Sequence, residues 1–127
     1  MHYLADQRGQ AVALLYQNIL LDTYGTVVMG VILGNCVFDG RGAACAKYFR
    51  HTLFNMEGHI LAKENGFVQH VPIDPAAVMN TAWEIIQSID NHQCPMIDPL
   101  EGWASTSLLE HFDGKPVGEA SLEAVGV

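Results

Sequence analysis

Residues 49–66, FRHTLFNMEGHILAKENG, gather two histidines and two glutamates in one stretch without proline. Imidazole and carboxylate together can run acid–base chemistry or hold a transition metal. Read as a helix, the stretch places His51 and His59 eight residues apart, about 12 Å along the axis, too far to grip one ion. Glu57 and His59 stand two apart and point in different directions. Neither His-Glu-x-x-His nor the Glu-x-x-His of di-iron bundles occurs. His51, Asn55 and His59 share one flank beside Tyr48, so Tyr48, His51, Asn55 and His59 form the candidate ligand or partner flank. The plainer reading of that flank is solvated or interhelical hydrogen bonding.

Other constellations are weaker. Cys36, Cys45, His92 and Cys94 are a conceivable soft-ligand set, but their spacing is not that of a zinc knuckle. Ser107 and His111 are ordinary helix neighbours, and no G-x-S-x-G elbow occurs. Glu84, Glu101 and Glu110 form a triple that any acidic chain of this size offers. Asp39-Gly40-Arg41-Gly42 lacks the lysine of a phosphate loop and reads as a turn. No metal or other cofactor is expected, and the balance leans away from an enzyme.

Composition narrows the partners. The chain has 127 residues, 50% of them apolar and 16% charged, with a formal net charge of −8. Six basic residues make no patch for phosphate recognition, so direct nucleic-acid binding is not expected. So low a charge density leaves apolar surface to hide, which points to a homo-oligomer, a homodimer in the simplest case. Three cysteines argue against a disulfide scaffold and for free thiols in a reducing, cytoplasmic compartment, with Cys94 the most reactive of them. The apolar runs 11–21 and 26–38 are each too short to span a bilayer, and joining them buries Asp22. Membrane association is therefore a minor alternative.

The elements that must carry these residues read as helices. Val12, Leu15, Tyr16 and Ile19 recur at helical spacing. TVVMGVIL suits a buried strand by propensity, yet Gly30 and Gly34, four apart, suit a close helix contact. Over 43–65, Cys45, Phe49, Leu53, Met56 and Ile60 fall in a sector about 80° wide. Asp74-Pro75 and Asp98-Pro99 each read as an N-cap followed by a first helical proline, with Glu101 completing a box with Asp98. Trp83 and Trp103 lie on the apolar faces of those two helices, and with Gly30 and Gly34 are the candidate interface anchors.

The expectation is a mainly α, compact bundle of four or five helices over 1–112, with a short extended segment near 67–71. A mobile or partner-docked tail follows over 113–127, and nothing is read as an internal repeat. The expected function is a small acidic protein–protein interaction module, self-associating, serving as adaptor or inhibitor of a partner with a basic surface. A small enzyme or ligand binder using the His51/Asn55/His59 flank is the rival.

Overall fold

The computed structural model describes residues 1–67 and 71–113. Its first half is not a bundle. Eight antiparallel strands, β1 (His2–Ala5), β2 (Ala11–Tyr16), β3 (Ile19–Leu21), β4 (Val28–Leu33), β5 (Cys36–Asp39), β6 (Ala44–Phe49), β7 (Thr52–Asn55) and β8 (Ile60–Phe67), pair in chain order. β8 returns to pair with β1 and closes the barrel. Closure leaves no sheet edge open to aggregation.

The barrel is one hairpin used four times, which corrects the expectation of no repeat. Asp6, Asp22, Asp39 and Asn55 recur at intervals of 16, 17 and 16, each with glycine three residues on: Gly9, Gly25, Gly42 and Gly58. Each glycine takes positive φ and donates its N–H to the carbonyl of that Asp or Asn. Each side-chain Oδ1 accepts two further backbone N–H groups: Arg8 and Gln10, Thr26 and Val27, Arg41 and Ala43, Glu57 and His59. Asx side chains that satisfy their own turn, plus a left-handed glycine, are a strong chain reversal.

Inside, each hairpin pairs a large residue with a small one: Leu4 with Ala13, Leu20 with Gly30, Val37 with Ala46, Leu53 with Ala62. All four large members are fully buried. Alternating sizes fill a narrow barrel without a pore. Beside each pair the register slips by one residue, leaving Val12, Met29, Cys45 and Leu61 as bulges packed on the same core. At the other end the turns are tight, at Gln17-Asn18, Gly34-Asn35 and Arg50-His51.

The expected helices over 10–21, 26–38 and 43–65 are therefore strands. The period-2 signal is masked because both faces are covered: the inside by the barrel, part of the outside by a helix. Gly58 is no helix interior but a turn residue at φ +95°, and a Cβ there would meet the Asp98 carbonyl oxygen at 2.2 Å. The Asp74-Pro75 signal does open a helix, α1 (Pro75–Ser88), with Asp74 accepting from Ala77 N–H at 3.2 Å. Val78, Ala82 and Ile85 of α1, with Ile89 after it, pack on Ile19, Leu21, Val31 and Phe38 outside the barrel.

The Asp98-Pro99 signal does not open a helix. Residues 98–104 form a non-helical segment that bonds to the start of β8: Leu100 N–H to Gly58 O, Ile60 N–H to Gly102 O, Ala104 N–H to Ile60 O. The capping box is Ser107 with Glu110 instead, opening α2 (Leu108–Asp113). Leu108 is buried in the barrel core, and His111 Nε2 bonds the Cys45 carbonyl at 2.7 Å, so α2 stoppers the long-turn end.

A disulfide joins Cys36 on β5 to Cys94, against the expectation of three thiols. The closure could not be read from spacing, since the two stand 58 residues apart. Buried Lys47 sets its Nζ 3.3 Å from Cys94 Sγ. No helix among the described residues is long and apolar enough to cross a membrane. The expected tail lies, from residue 114 on, outside the described residues.

Candidate functional site

At the short-turn end, the next inward layer comprises Leu15, Ile32, Tyr48 and Glu64, paired with Leu20, Val37, Leu53 and Leu4 respectively. Outside it, at intervals of 16, 17 and 16, come His2, Asn18, Asn35 and His51. The backbone repeats faithfully: Ile32, Tyr48 and Glu64 donate their N–H groups to the carbonyls of Asn18, Asn35 and His51. The side chains do not. Where two hairpins supply Leu15 and Ile32, the others supply Tyr48 and Glu64, and two of the four rim positions are histidines.

These four departures meet. Tyr48 Oη donates to Glu64 Oε2 in a short hydrogen bond. His51 Nδ1 lies 3.3 Å from Glu64 Oε2, and His2 Nε2 lies 3.6 Å from Oε1. The His2 ring rests on Phe67, centroids 4.2 Å apart. Arg50 and His51 both take positive φ, at 54° and 59°, a conformation that costs non-glycine residues energy. Burial raises the Glu64 pKa, but hydrogen bonds from Tyr48 and His51 and the electrostatic influence of the neighbouring His2 and His51 rings outweigh it, so the carboxyl sits below its ordinary value. Burial, then the Glu64 hydrogen bond and charge, push the Tyr48 phenol upward.

A carboxylate that accepts from His51 Nδ1 leaves Nε2 of that ring as an acceptor, and His51 is largely exposed. Such a pair can take a proton from a bound molecule. The cluster holds no serine, threonine or cysteine to act as nucleophile. Among the described residues, no three His, Cys, Asp or Glu side chains are placed to hold a metal.

The expected flank is thus divided. Tyr48 and His51 belong to this cluster. Asn55 caps the β7–β8 turn at the opposite end, and His59 faces Glu57 there at 3.9 Å. Sequence reading missed Glu64 and His2, which the repeat register alone brings to the same corner. Cys36 and Cys94 are spent in the disulfide, His92 lies against the Phe38 ring, and Cys45 is buried in the core. Glu84 and Glu101 are exposed and Glu110 caps α2, so that acidic triple serves no common site.

A second feature lies between α1 and the β3–β4 wall: an open cavity of about 470 Å³ lined by eleven residues, none charged. Val31, Ile19 and Leu33 form its floor and Gln17, Asn18 and Asn80 its polar margin. Trp83, 58% exposed, and Met79, 46% exposed, stand beside it. Of the other expected anchors, Trp103 is half-buried under Lys63, 5.8 Å from its ring. Gly34 is a turn residue at φ +65°, and Gly30 lets the Phe38 backbone come close, where a Cβ would sit 2.5 Å from the carbonyl oxygen. No protein-family model, no curated protein and no solved structure matches this chain.

Proposed function

We propose that this chain is a small acidic interaction module that contacts partners through the uncharged cavity between α1 and β3–β4. The observation that carries this reading is that Trp83 and Met79, among the exposed large apolar side chains, stand together on an uncharged cavity with an apolar floor. Tryptophan in an apolar hollow with a polar margin is the usual make-up of an energetic contact centre. Titration of dilute protein, well below the micromolar range, with the neutral, polarity-sensitive dye Nile red tests it. Saturable binding with energy transfer from Trp83 is expected, and Met79→Glu, which places a charge at an exposed position, is expected to abolish it. Equal dye binding by wild type and variant would overturn the reading.

A second reading is favoured by the broken repeat. Holding Glu64 where symmetry supplies Leu15 and Ile32 costs desolvation, and the Arg50-His51 turn costs backbone strain. Both expenses suit a small-molecule site in which Glu64 orients His51 for proton transfer. Its test is a ligand screen by ring-proton shifts of His2 and His51. Shifts that depend on Glu64 would support it, and a silent screen would count against it.

A further inference from the structure

Building on the interaction-module reading, we infer that the partner on the α1 face is a second copy of this chain, seated helix against helix about a two-fold axis. The first ground is periodicity. α1 carries two apolar stripes. Val78, Ala82 and Ile85 are buried on the barrel. Ala76, Met79, Trp83 and Ile86, spaced three, four and three, lie about 110° further round the helix at roughly 100° per residue. Three of those four are exposed and Ile86 is half-buried. A three–four stripe is the spacing by which one helix meets another along a seam.

The second ground is charge. The chain carries −8, yet the cavity lining has no charged residue and Glu84 is the sole charge on α1. Glu84 sits about 120° from the centre of the exposed stripe. A partner with a basic contact surface finds no acid here to pair with. An identical face meets no like charge at the contact itself. The third ground is shape. In an isologous contact each surface must be its own complement, and a protruding Trp83 beside a hollow of about 470 Å³ meets that requirement. Antiparallel crossing of two copies also opposes the helix dipoles favourably. The remaining −8 on each copy repels at a distance, so salt should strengthen this dimer where it would weaken a complex with a basic protein.

Sedimentation velocity of the whole chain across the micromolar range, at low and high salt, tests the inference. The expected result is a dimer twice the chain mass, tightened by salt, accompanied by a blue shift of Trp83 emission with concentration. Met79→Glu should weaken dimerisation by about tenfold or more, since it brings like charges together at the axis, with an unchanged circular dichroism spectrum. A wild type that stays monomeric throughout, or a dimer indifferent to Met79→Glu, overturns the inference. Nile red separates the two failures. A monomer that binds the dye through Met79 and Trp83 sinks the second copy alone, and a monomer that does not bind it sinks the module reading as well.

Discussion

A double-mutant cycle on Tyr48 and Glu64 measures what the broken symmetry of the barrel costs. Tyr48→Phe removes the donor that Glu64 accepts from, and a hydrogen bond to a charged group contributes about 1.5–3 kcal/mol when well buried. The Glu64 side chain keeps 15% exposure and its two histidines remain, so about 1–2 kcal/mol is expected for this change. Glu64→Leu leaves the half-buried Tyr48 hydroxyl without its acceptor, again about 1–2 kcal/mol. The double variant restores the apolar ring that Leu15 and Ile32 begin, and removing both partners together can be nearly neutral. The two losses therefore should not add: a coupling of at least about 1 kcal/mol is expected. Urea unfolding at neutral pH, followed by circular dichroism, gives the four stabilities. Additivity within about 0.5 kcal/mol would refute the reasoning. A double variant at least as stable as wild type would show that Glu64 is held for something other than stability.

Acid should destabilise the fold in a definite window. The folded pKa of Glu64 lies below its ordinary 4.5, and that of Asp22 below 3.8, where backbone bonds from Val27 and Thr26 outweigh burial. Both contributions are complete above those ordinary values and are lost as pH falls through the folded ones; Glu64→Gln should flatten the first part of the acid limb in urea melts taken from neutral pH downward. Gly58→Ala should cost more than Gly9→Ala, although both glycines hold the same place in the repeat. Each pays about 1 kcal/mol or more for positive φ, but only the Gly58 substitution drives a Cβ into the Asp98 carbonyl; thermal melts of the pair check the difference. Reducing the Cys36–Cys94 bond, which spans 58 residues, should lower stability by up to about 4 kcal/mol on the chain-entropy account; denaturant melts with and without dithiothreitol read it, with Cys94→Ser as the control.

The sequence disclosed α1 because Asp74 and Pro75 are local signals acting on their immediate neighbours. It misled over 43–65, where Cys45, Phe49, Leu53, Met56 and Ile60 line up at 100° per residue by coincidence. In the barrel they belong to a bulge, two strands, a turn and a third strand. Strand patterning was obscured because AVALLY and VMGVIL are covered on both sides. The signal that could have corrected this was present: Asp or Asn followed by glycine three residues on, recurring at 6, 22, 39 and 55. Aligning the chain on that repeat sets Glu64 against Leu15 and Ile32, and His2 and His51 against Asn18 and Asn35. The sequence alone reaches half of the cluster at the short-turn end, Tyr48 and His51, but a helical frame joins them to Asn55 and His59. The Cys36–Cys94 bond and the 98–104 strap are long-range contacts that no local pattern announces.

Everything above rests on four hairpins closing on themselves, with β8 beside β1. The most direct measurement is a nuclear Overhauser spectrum of uniformly labelled protein, examined for contacts between Leu4 and Glu64 and between His2 and Phe67. Cross-strand contacts at both pairs, with the Tyr48 ring also near the Glu64 side chain, are the predicted result. Sequential helical contacts through residues 43–65, with no contact between the first strand and the eighth, would contradict it.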